Sequence, residues 1–159
     1  MKSHTRLAKK LDKKRVIICL LVFFALMPIF SYLHEAGHAL VCTADGNEAE
    51  ISVDILSGGL TLCHGDVSNL FAYKISGGLV AGIVGTAAGI ALFRWKIPFI
   101  AITTIGIGHL INAGIEAFAD SYFTHGVEWS FFMGLVEFVI FLTLLIIFDR
   151  KMVKRNDVL

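Results

Sequence analysis

A chain of 159 residues, 56% of them hydrophobic and with a mean hydropathy of +0.75, is more apolar than an ordinary soluble domain. It is long enough for one domain and short for two, and several apolar runs reach the roughly 20 residues that cross a hydrocarbon core, which excludes a soluble protein with a large interior. The net charge of +1 says less than its distribution, because the charges are gathered into patches.

The first patch is a basic arm of Lys2, Arg6, Lys9, Lys10, Lys13, Lys14 and Arg15. Such an arm could bind nucleic acid, but beside an apolar span it more simply marks the cytoplasmic side, and no nucleic-acid partner is expected. An apolar run follows, as in a signal peptide, yet no small-residue cleavage site precedes His34, and the run is read as a retained helix. This first span is predicted from about Val16 to Ala44, with a kink at Pro28.

From Asp45 to Asn69 the chain is acidic and lacks Lys and Arg. Alternation over Ile51–Ile55, a turn signal at Ser57-Gly58-Gly59 and the apolar Leu60 and Leu62 predict a short β-hairpin. An isolated hairpin is marginal in water, so this one is expected to lean on the membrane surface or the helices. Further spans are predicted from about Leu70 to Phe93, Ile97 to Ala119 and Trp129 to Phe148. Gly78, Gly82, Gly85 and Gly89 form two GxxxG pairs, read as close helix packing in preference to a substrate groove. Glu137 is a lone acid in the fourth span, expected to make a helix-packing contact to Ser, Thr or His in preference to supporting the site, and Trp95 and Trp129 fit interfacial belts.

The expected fold is therefore an all-α polytopic membrane protein, with about four transmembrane helices and a short β-hairpin between the first two. It reads as a single domain, with a basic arm at 1–15, a catalytic core at 16–120, and an extra helix with a basic tail at 121–159. Arg94 and Lys96 join the second and third spans, and Arg150, Lys151, Lys154 and Arg155 follow the fourth. With four spans these groups fall on the side of the N-terminal arm, so both termini are expected in the cytoplasm of a cell-membrane protein, with the hairpin outside. Cys19, Cys42 and Cys63 are an odd number without a CxxC pair. They are expected to be single buried thiols, with Cys42 and Cys63 able to pair only in an oxidising compartment.

The chemistry is concentrated in His34-Glu35-Ala36-Gly37-His38, an HExxH sequence. Histidines at i and i+4 share a helix face, so both imidazoles can reach one metal. Glu35 then stands beside it as the base for a bound water whose pKa falls towards about 7. Ionisable groups inside an apolar helix are costly unless paired, metal-bound or solvated, which makes this cluster a functional site by default. A third protein ligand is needed, with one position left open. Candidates are Asp120, Glu116, His109, His125 and His64. Because the first and third spans run in the same direction, depth favours Asp120 and Glu116 over His109, and Asp120 over Glu116; His125 and His64 read as surface residues.

The segment Tyr32–Leu40 resembles the zinc-binding helix of the site-2 protease family of intramembrane metalloproteases, which follows its HExxH helix with a short β-hairpin. That family supplies an Asp from a later helix in the pattern NxxPxxxxDG, and Asn112 and Asp120 stand at its spacing. The resemblance covers about Val16 to Asp120. It implies His34, His38 and Asp120 as zinc ligands, Glu35 as catalytic base, and Asn112 as a group steadying the oxyanion or substrate backbone. Ile115 replaces the family's Pro and Ser121 its Gly, so Asn112 and Asp120 would be about 12 Å apart along an unbroken helix, and Glu116 stays an alternative ligand. The family's hairpin usually lies on the cytoplasmic side, whereas the charges here place it outside.

The expected function is zinc-dependent hydrolysis of peptide bonds within or near transmembrane segments of membrane-protein substrates, with the lipid bilayer as surroundings. The hairpin could receive an extended substrate as an added strand. Rival readings are a metal transporter using the same histidines, a non-catalytic binder of transmembrane segments, and a hydrolase of lipid or other amides.

Overall fold

The computed structural model describes residues 13–54, 58–119 and 126–156. Lys2 to Lys10 of the basic arm, Ile55, Ser57, Asp120, Ser121 and His125 lie outside the described residues. The order is α1 (Lys13–Ala44), β1 (Glu48–Asp54), β2 (Gly58–His64), α2 (Leu70–Ala91), α3 (Lys96–Phe118) and α4 (Gly126–Asn156). All four helices are long and apolar enough to cross a membrane, in α4 through the stretch Phe131–Phe148. The fold is thus mostly helical with an antiparallel hairpin between the first two helices, as the hydropathy pattern predicts. Helix α1 continues through Pro28.

Glycines set the distance between α2 and α3. A Cβ at Gly78 would stand 2.6 Å from the His109 carbonyl oxygen, and one at Gly85 would stand 2.7 Å from Gly106 Cα. Gly82 meets Leu110 and Gly89 meets Thr103. As the α2 numbers rise the α3 numbers fall, so the two helices run antiparallel with their backbones in near contact. That is the packing role expected of the GxxxG pairs. Gly37 does the same for α1, lying against the backbone of Ser76 and Gly77. Helix α4 packs chiefly on α3. Phe141 and Leu145 join Cys19, Phe99 and Ile100 in one apolar cluster, while the Glu137 carboxylate lies against Gly108. Glu137 thus packs against α3 at a glycine, where a contact to Ser, Thr or His was expected.

The hairpin pairs Glu48 with His64 through to Asp54 with Gly58. Its two faces differ as strand periodicity requires: Ala49, Ile51, Val53, Gly59, Thr61 and Cys63 are covered, whereas their neighbours are exposed. The covered face rests on α1. One expectation fails here, because Cys42 and Cys63 are not single thiols but form a disulfide. The composition argument counted cysteines, but the docking of β2 on the last turns of α1 is what brings these two together. Cys19 alone is a free, buried thiol. Around the base of the hairpin, Gly46 turns the chain with φ 82°, and Asp45 accepts hydrogen bonds from the Ser68 amide and hydroxyl, each at 2.7 Å. Those bonds hold the Asp45 carboxyl below the usual carboxylate range. Asn69 caps α2 by accepting from the Ala72 amide at 2.9 Å.

Candidate metal centre

The i, i+4 spacing places His34 and His38 on one buried face of α1, with the two Nε2 atoms 3.2 Å apart. From α3, the Glu116 carboxylate reaches the same point. Its Oε1 lies 3.0 Å from His34 Nε2, and its Oε2 lies 3.7 Å from His38 Nε2. All three residues are buried, and each offers a ligand atom within 4.8 Å of the others. A tetrahedral ion with bonds of about 2.0–2.1 Å has ligand atoms roughly 3.3 Å apart, close to the spacing of these nitrogens.

Three further observations fit a cation there. Glu116 Oε2 is buried and has no hydrogen-bond partner among the described residues, which is costly for a carboxylate oxygen unless a positive centre faces it. His38 Nδ1 lies 2.7 Å from the Tyr73 carbonyl oxygen. A carbonyl only accepts, so Nδ1 carries the proton and the neutral ring presents a lone pair at Nε2, the form a metal needs. Finally, Gly77 of α2 stands in front of both imidazoles, and a Cβ on it would collide with His38 Nε2 and come 2.8 Å from His34 Nε2. Glycine therefore keeps the space before the two nitrogens open. Gly77→Ala is expected to cost the protein its metal without altering a ligand; metal analysis of the purified variant checks this, with helical content by circular dichroism as control.

Metal ligands require supporting partners. The Asn112 amide, expected to steady oxyanion or substrate, donates to Glu116 Oε1 at 2.9 Å and so orients that carboxylate. His34 Nδ1 lies 3.2 Å from His109 Nδ1, and the His109 ring stacks on Phe30 at a centroid distance of 6.2 Å. With a metal at His34 Nε2 the proton sits on Nδ1, and His109 is its acceptor. His109 is thus placed to support His34, where depth alone had ranked it as a poor ligand candidate. Losing this partner should lower metal affinity about 10–100-fold. Competitive titration of His109→Ala against a chromogenic chelator measures it, and His109→Asn, which keeps an acceptor, should recover part of the loss.

Glu35 is held from the other side, by the hairpin. The Thr61 hydroxyl donates to Glu35 Oε2 at 2.8 Å and stands 2.9 Å from the Glu35 carbonyl. Gly59 lies directly over the Glu35 side chain, where a Cβ would overlap it. Strand alternation thus points Gly59, Thr61 and Cys63 at α1, two of them onto Glu35 and the third into the disulfide. Tyr73 completes the wall, its ring 5.0 Å from that of His38 and its hydroxyl donating to the Thr61 carbonyl at 3.4 Å.

Among the sequence-predicted residues, then, His34, His38 and Glu116 meet at one point, with Asn112 and His109 beside them. His64 does not join them. It is exposed on β2, 3.5 Å from Glu50, as its surface assignment anticipates. Asp120, preferred over Glu116 by depth, lies outside the described residues, and among the described ones it is Glu116 that completes a group able to hold a metal ion. Thr61, Tyr73 and Gly77 were not singled out from sequence, and Gly59 was read only as part of a turn signal. Comparison of the chain with protein-family models, curated proteins and solved structures finds no match.

Proposed function

We propose that this chain is an intramembrane zinc metallopeptidase that hydrolyses peptide bonds within or beside the transmembrane segments of other membrane proteins. The observation that carries the reading is the convergence of His34, His38 and Glu116, with the intervening Glu35 held by Thr61. Two imidazoles and a carboxylate are a donor set that suits zinc, and one coordination position remains for water or substrate. A bound zinc ion would supply Lewis-acid chemistry, polarising a carbonyl and making a water acidic near neutral pH. Glu35 takes a proton from the attacking water and returns it to the departing amine. Thr61 aims the Glu35 carboxylate while it does so. Asn112 and His109 keep the Glu116 and His34 ligand atoms in place. The resemblance to the site-2 proteases supports the same chemistry, with Glu116 in the role that family gives to an Asp.

Metal removal tests the reading. The protein reconstituted in liposomes should carry about one zinc per chain, lose peptidase action on a single-span reporter when dialysed against a chelator, and regain it with added zinc. Cleavage that persists in metal-free protein would sink the proposal, and zinc crossing the liposome wall without cleavage would install the transporter in its place.

A further inference from the structure

Twenty residues separate Arg15 from Glu35 on α1, and twenty separate Lys96 from Glu116 on α3. At about 1.5 Å per residue either stretch is roughly 30 Å long, the thickness of a hydrocarbon core. Arg15 and Lys96 flank apolar runs and resist entry into lipid, so they mark one boundary of the membrane. Glu35 and Glu116 accordingly stand at the other boundary, not at the midplane. Helix α2, running the opposite way, agrees: Lys74 lies in its second turn, next to the Tyr73 carbonyl that holds His38.

Two independent features say which boundary this is. Lys13, Lys14, Arg15, Arg94 and Lys96 all lie at the far end of the helices, which puts that end in the cytoplasm. At the near end, four residues beyond His38, Cys42 is joined to Cys63, and disulfides persist in oxidising compartments. We infer that the metal centre opens at the extracytoplasmic boundary of the membrane, and that its substrates are peptide bonds in the extracytoplasmic juxtamembrane ends of single-span partner helices. At such an end the terminal carbonyls or amides lack intrahelical partners, so an extended segment can reach Glu35 without the partner unwinding at mid-membrane. The substrate half of this inference rests on the proposed peptidase activity, whereas the sidedness rests on helix lengths, charge and the disulfide.

Three measurements on the full chain separate the two halves. In cells expressing the chain with Cys19→Ala and either Asp66→Cys or Arg94→Cys, a membrane-impermeant maleimide should label the first variant in intact cells and the second only after permeabilisation. The reverse pattern overturns the sidedness. EDTA, which does not cross bilayers, should strip zinc from sealed right-side-out vesicles and leave it in inside-out ones, and the opposite result overturns it equally. Reporter helices carrying the same Gly-Pro break at the outer boundary, the midplane or the inner boundary should be cut at least tenfold faster in the first case. Faster cutting at the midplane or the inner boundary overturns the substrate assignment. Uncut reporters with zinc in place overturn the peptidase reading and the substrate assignment together, and leave the side to the maleimide result.

Discussion

Glu116→Ala should remove the metal from the purified protein, while Asp120→Ala should keep most of it. In the structure the Glu116 carboxylate faces both imidazoles and is buried with them, and its removal leaves only two nitrogens 3.2 Å apart. Two neutral donors do not hold a divalent ion in competition with water and buffer. The loss in affinity should therefore exceed the roughly 10–100-fold expected when a group that merely orients a ligand is removed. Glu116→Gln keeps an oxygen donor but discards the charge, and should fall between. The same substitution has a second signature. In the metal-free protein Glu116 Oε1 accepts from the Asn112 amide at 2.9 Å and lies 3.0 Å from His34 Nε2, so Glu116→Ala leaves buried polar groups unpaired and should lower the thermal midpoint of the metal-free form as well. Full metal content in Glu116→Ala, with loss in Asp120→Ala, would transfer the third ligand to Asp120 and refute the centre described above.

The parts of this molecule that were legible in sequence are those governed by local periodicity. Runs of about 20 apolar residues specify the four helices, because no other regular element satisfies its own backbone in lipid. Alternation specifies the hairpin, although Gly58 and Gly59, read as part of the turn, are the first residues of β2, and Glu48–Glu50 and Cys63–His64 extend the pairing beyond the alternating apolar residues. His34 and His38 were legible because one turn of one helix brings them together. The third ligand depends on how α3 packs against α1. Depth alone left Glu116 and Asp120 open and preferred the latter. A finer signal was present: His109, Asn112 and Glu116 are spaced by three and four, which places all three on one face of α3. That face is the one turned to the α1 histidines. Thr61 carried no such signal, since alternation tells which face of a strand is covered and not what covers it. The disulfide was missed for the same reason, its two cysteines being brought together only by the docking of β2 on α1.

Glu35→Gln should leave the metal and the fold in place and reduce peptide cleavage by about 10²–10⁴-fold, the range a positioned general base supplies. The substitution is nearly isosteric, and the amide oxygen of Gln can still accept from the Thr61 hydroxyl that now donates to Oε2 at 2.8 Å, so the hairpin keeps its seat on α1. What is lost is only the capacity to take up a proton. Thr61→Val provides the matching control from the other side of the bond. It preserves shape and carboxylate but removes the donor, so it should lower turnover by a smaller factor, with unchanged metal content and little change in KM, while Thr61→Ser should recover most of the rate. A transporter that merely passes ions across the two histidines has no need of the proton on Glu35 and would keep its flux in Glu35→Gln. Cleavage at the wild-type rate in that variant, metal bound, would mean that the acid between the histidines is held by Thr61 for some purpose other than hydrolysis.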